Sequence, residues 1–122
     1  MGREIKFRAW DKECSRMIVD IEAINFSHQV IIWEDSCNSK EFNNVELMQY
    51  TNLKDKNDVE IYEGDICKTN LVPFIRYVSV FEEGCFMFEE HDGGRPIEWV
   101  GRISSTELEV IGNIYENKDL LK

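Results

Sequence analysis

Hydrophobic and polar residues along the chain alternate with period two far more often than they recur at helical spacing, which predicts strands. Ile5, Phe7 and Ala9 alternate with Lys6, Arg8 and Trp10, then Asp11-Lys12-Glu13 supplies a turn before a second apolar run at 17–21. The first twenty residues therefore read as a hairpin or meander corner. Over 23–33 the positions Ile24, Phe26, His28, Val30 and Ile32 fall on one face, which predicts one long third strand and a half-buried His28 bonded to backbone. Residues 34–44 are polar and read as the main loop. A short strand at 45–51, a charged turn at 54–58 and a strand from Asp65 follow. The clearest hairpin is IRYVSVFEEGCFMF, in which Gly84 supplies the positive φ of a short loop. Glu89 to Gly94 reads as an exposed loop, 97–100 and 108–115 as strands, and Asn117 as the cap of one helical turn at 118–121.

Four or five short strands between about 65 and 115 suit a small antiparallel barrel, because closure removes exposed strand edges. The expected fold is all-β: a single domain over 1–122, with an N-terminal β lobe at about 1–44, a barrel at about 45–116 and a tail at 117–122. A chain of 122 residues is long enough to fold on one core without disulfide or metal staples. Hydrophobic residues at 43% and charged residues at 31% are those of a folded soluble protein.

Charge narrows the function classes. Lys and Arg number 14 against 24 Asp and Glu, a net charge of −10, which repels a phosphate backbone and makes non-specific nucleic-acid binding unfavourable. A local basic patch of Lys6, Arg8, Lys12, Arg16 and Arg102 is the opposing possibility, as is an acidic nucleic-acid mimic. Cys14, Cys37, Cys67 and Cys85 form no CxxC pair, so neither a zinc knuckle nor a redox dithiol is indicated. Reduced thiols, no apolar leader and no run near the ~20 apolar residues of a membrane span predict a cytoplasmic protein that keeps off membranes.

The stretch LMQYTNLKDKNDVEIYEGDI, residues 47–66, carries the densest pattern. Leu47, Tyr50, Leu53, Ile61, Tyr62 and Ile66 read as apolar anchors, 54–58 as a solvated tip, and Glu63-Gly64-Asp65 as a tight turn. The catalytic alternative is a metal-dependent hydrolase built on Glu60, Glu63, Asp65, Glu89, Glu90 and Asp92. It lacks a calcium-loop spacing. No nucleophile elbow, P-loop or dinucleotide fingerprint occurs, so no catalytic, cofactor or metal residue is assigned. Aromatics remain: Trp10, Trp33, Tyr50, Tyr62 and Trp99 form the candidate binding surface, against the alternative that they fill the core.

Three segments, IKFRAWDK (5–12), LMQYTNLKDKNDVEIYEGDI (47–66) and EVIGNIYEN (109–117), together resemble the YopX family of small phage and prophage proteins. The resemblance implies an all-β fold with an SH3-like barrel, and a protein of the bacterial cytoplasm with no catalytic residues to carry over. Asn52 and Asp58 stand where the family commonly has Gly, and Lys118 where Pro is frequent. Asn and Asp are the best substitutes for Gly at positive φ. The expected role is a non-enzymatic protein-binding or regulatory module engaging a host or phage protein, with self-association possible at an uncovered strand edge.

Overall fold

Alternation becomes antiparallel sheet throughout. The structure, a computed structural model, describes residues 3–34, 38–70, 72, 74–92, 95–99 and 105–121. No α-helix occurs among them; the helical content is three 3-10 turns, Phe42–Asn44, Ser105–Glu107 and Lys118–Leu121. The all-β expectation holds. The chain divides into two units, Ile5–Gln49 and Met1–Glu4 with Tyr50–Lys122.

In the first unit, β1 (Phe7–Asp11) pairs with β2 (Arg16–Ile18), Ala9 opposite Ile18 and Asp11 opposite Arg16. On its other side β1 pairs with the start of β6 (Val45–Lys54). A second sheet has the order β3 (Ile21–Asn25), β4 (Val30–Trp33), β5 (Asn38–Glu41). Ala9, Ile18, Ile31, Trp33 and Val45 form the core, with Ile21, Ile24, Phe42 and Leu47 packed on it.

Two expectations fail here. Residues 23–33 are a hairpin, not one strand, because the Asn25 side chain accepts the His28 N–H (3.0 Å) and Gln29 takes a φ of 55°. Asn at the start of a turn organises it through its own side chain, which apolar spacing does not register. His28 is consequently exposed on the turn, and Phe26 is 74% exposed beside it with its ring edge-on to Phe42. The polar segment 34–44 also contains a strand. β5 pairs with β4, Lys40 opposite Ile31, as a charged edge strand whose composition guards it against further pairing.

β6 passes from the first unit into the second between Gln49 and Tyr50, so the division lies inside a strand and later than residue 44. Within the second unit the end of β6 pairs with β7 (Glu60–Tyr62) across a bulge between Tyr50 and Leu53. A five-stranded antiparallel sheet, curled as a half-barrel, has the order β11 (Arg95–Trp99), β10 (Cys85–Asp92), β9 (Arg76–Glu82), β8 (Asp65–Lys68), β12 (Glu109–Asn113). Its core is Ile61, Cys67, Tyr77, Phe88 and Leu108. Glu83 (φ 50°) and Gly84 (φ 82°) close the β9–β10 hairpin with both central residues left-handed, the geometry whose twist suits two-residue loops.

Glu89 to Asp92, expected in a loop, belong to β10, which pairs with β9 on one side and β11 on the other. Charged side chains are compatible with a strand when every second residue faces away from the core. Asn117, the expected cap of the terminal 3-10 turn, accepts the Leu120 N–H with its backbone carbonyl at 3.0 Å. It turns back, its Oδ1 accepting the Asn113 N–H at 3.1 Å.

Candidate functional site

The three segments that carry the family resemblance are organised by buried polar side chains. Asp55 accepts N–H groups from Asn57 (2.8 Å), Val59 (2.9 Å) and Val110 (2.9 Å), and so ties the tip of the middle segment to the C-terminal one. Lys56 N–H adds a bond to the Leu108 carbonyl. Burial by itself raises the Asp55 carboxyl, but the bonds from Val110, Val59 and Asn57, with the nearby Lys56, outweigh it and hold Asp55 below the usual carboxylate value. Asp65 is buried and accepts the Tyr62 N–H at 2.8 Å across the Gly64 turn. These carboxylates are joints of the fold. Asn52 (φ 68°) and Asp58 (φ 66°) both occupy left-handed conformations, as expected of residues standing in for Gly.

In the N-terminal segment Asp11 is fully buried, its Oδ1 accepting the Glu13 and Cys14 N–H groups and its Oδ2 the Arg16 Nε at 3.2 Å. Lys40 Nζ lies 3.4 Å from it and also pairs with Glu13. Desolvation pushes Asp11 up; the Cys14 N–H, Arg16, the Glu13 N–H and Lys40 together hold it below its ordinary value. Bonding to Glu13, offset in part by desolvation and reinforced by Asp11, raises Lys40.

Of the residues of the catalytic alternative, the Asp92 side chain lies outside the described residues. Among the described residues no group of three or more His, Cys, Asp and Glu side chains is placed to hold a metal ion. Glu89 and His91 meet as a pair, Oε1 to Nε2 2.8 Å, on one side of β10. Burial pushes the Cys67 thiol far up, with the charges of Asp65 and Asp55 adding to it, so it stays protonated. Of the basic residues of the nucleic-acid alternative, Lys12 pairs with Glu46 (3.1 Å) and Arg16 with Asp11, while Arg102 lies outside the described residues. No helix among the described residues is long and apolar enough to cross a membrane.

The five aromatics of the candidate surface separate. Trp33 and Tyr50, at 5% and 3% exposure, are core residues, since a ring on a strand face turned inward is the largest unit of apolar burial available. Trp10 is half-buried on β1 opposite Met17, and Tyr62 is half-buried with its ring 5.5 Å from that of Tyr50. The Trp99 side chain lies outside the described residues. What the sequence did not single out is Phe81, 50% exposed at the end of β9, its ring edge-on to Phe86 across the hairpin at 5.0 Å. Phe81 continues the inward alternation of Tyr77 and Ser79, but the strand outruns the core there. Its position directly before Glu82-Glu83-Gly84 was the available signal.

A cavity of about 150 Å³ opens in the first unit beside β2, lined by residues 16–20, Trp33 and Glu34. The Arg16 guanidinium lies 5.7 Å from the Trp33 ring centre, within cation–π range.

The family model described as YopX protein matches residues 6–122. No curated protein matches the chain. Among solved structures, protein EF1440 from Enterococcus faecalis is similar with 28% identity and a TM-score of 0.67, over 99% of this chain and 100% of that one. Protein yopX from Bacillus subtilis is similar in fold, with 20% identity and a TM-score of 0.53, over 99% and 98% of the two chains.

Proposed function

Because the chain belongs to the YopX family, whose resemblance brings no catalytic residues with it, we propose that it is a non-enzymatic protein-binding module. The observation that carries this reading is the exposed Phe81, held edge-on by the half-buried Phe86 at the end of the β9–β10 hairpin. An exposed aromatic held rigid by a cross-strand partner offers a large apolar contact at low entropic cost, the composition favoured at the centre of protein interfaces. Glu82 and Glu83 at the tip make the contact acidic, so the complementary surface on a partner is basic around an apolar pocket.

The setting we propose is the cytoplasm of a bacterial host, in a phage- or prophage-derived role. The bacterial sources of the two similar structures support the host, and the free thiols of Cys14, Cys67 and Cys85 suit a reducing compartment. The test is affinity capture of the tagged protein and of Phe81→Ser from host lysate, after nuclease treatment. A protein retained by the wild type and lost with Phe81→Ser, at unchanged melting temperature, is the expected result. Equal recovery by both chains contradicts the surface, and recovery that vanishes on nuclease treatment contradicts the partner class.

A further inference from the structure

We propose that the free edge of β2 pairs antiparallel with β2 of a second copy of this chain, giving a two-fold dimer centred on Ile18. Among the described residues β2 has β1 on one side and no strand on the other. Its sequence and that of the following residues, Arg16-Met17-Ile18-Val19-Asp20, is self-complementary in charge. Antiparallel pairing about Ile18 sets Arg16 opposite the partner's Asp20, Met17 opposite the partner's Val19, and Ile18 opposite itself. A two-fold axis then makes each contact twice.

Both faces of that pairing have a physical reason. On one face Trp10 and Met17 are already cross-strand neighbours, and the partner's Val19 extends the row; Val19 is 63% exposed in the single chain, an apolar residue with nothing over it. On the other face Arg16 is anchored by its Nε to Asp11 while its side chain stays half exposed at the cavity, which Asp20 and Glu34 also line. The partner's Arg16 therefore arrives opposite Asp20 at a rim carrying two carboxylates. The edge strand β5 differs, with Lys40 and Glu41 adjacent and no apolar residue, whereas the segment 16–20 sets Arg16 and Asp20 on either side of three apolar residues.

A strand pair of this length buries less than a standard dimer interface, so the dissociation constant is on the order of 10 µM. The contact is independent of the Phe81 surface. Sedimentation velocity of the full chain across that concentration range should show a monomer–dimer equilibrium, weakened at least roughly tenfold by Val19→Lys and by Asp20→Arg. Arg16→Glu should also be monomeric, and mixing it with Asp20→Arg should restore a dimer, because each chain then meets an opposite charge. Monomer at all concentrations, or a dimer indifferent to Val19→Lys and Asp20→Arg, overturns the proposal. A mixture of two folded variants that stays monomeric overturns the register. Should Arg16→Glu fail to fold, the first two variants decide alone.

Discussion

Asp55 shows how one residue in this chain does the work of several backbone contacts. Its carboxylate satisfies three N–H groups, two in its own turn and one 55 positions away on β12. Replacing it with Ala removes the acceptor of three partly buried donors and should cost about 3 kcal/mol, measurable by urea unfolding. Asp11 behaves alike among Glu13, Cys14, Arg16 and Lys40. Both have folded pKa values below the unfolded one, so their stabilisation is complete above the ordinary carboxylate pKa of about 4 and is lost as pH falls from there through the depressed folded values. The melting temperature should therefore drop steeply below about pH 4, and Asp55→Asn should flatten that drop. Unchanged acid sensitivity in Asp55→Asn would assign it to other groups.

Elements here are bounded by side-chain chemistry more than by Gly and Pro. β12 ends where Asn113 Oδ1 accepts the Tyr115 and Glu116 N–H groups, while Asn117 Oδ1 reaches back to the Asn113 N–H. Gly112 makes room for that return: a Cβ built on it would lie 2.5 Å from Asn117 Oδ1. Gly112→Ala should displace Asn117 and cost about 1 to 2 kcal/mol, as should Asn117→Ala. Because both changes break the same contact, the double variant should cost little more than either alone, a coupling that a double-mutant cycle reads directly. Additive costs would show that the two residues act separately. At the same scale, the alternation of apolar residues marked most of the strand runs, but 23–33, 34–44 and 89–92 were mistaken. Asn25 breaks the first by a turn that apolar spacing cannot display, and β5 is a polar edge strand held by its pairing with β4.

Across the whole molecule the two units have separate cores, one around Trp33 and one around Cys67 and Tyr77. A net charge of −10, from 24 acidic residues against 14 basic ones, acts as self-repulsion. Raising salt to a few hundred millimolar should raise the melting temperature, because screening relieves long-range repulsion while the buried Asp11 and Asp55 contacts are screened much less. A fall in melting temperature would mean that surface ion pairs such as Lys12–Glu46 outweigh the repulsion.

Period-two patterning, which reflects only the alternation of side chains across a strand, was enough to determine the all-β class. The left-handed roles of Asn52, Asp58 and Gly84 were legible too, because those residue types tolerate positive φ at least cost. The turn at Gly64 and the motif's character as a structural joint also stood in the sequence. Tertiary structure alone decided which aromatics are core and which are contact surface. Trp33 and Phe81 both alternate correctly on a strand, and only the extent of the opposing layer buries one and leaves the other open. It alone joined Asp55 to Val110, for a hydrogen bond between segments 55 residues apart leaves no local mark in either. It alone left the far side of β2 without a strand among the described residues, since whether an edge is covered depends on the order of strands and not on the residues of any one of them.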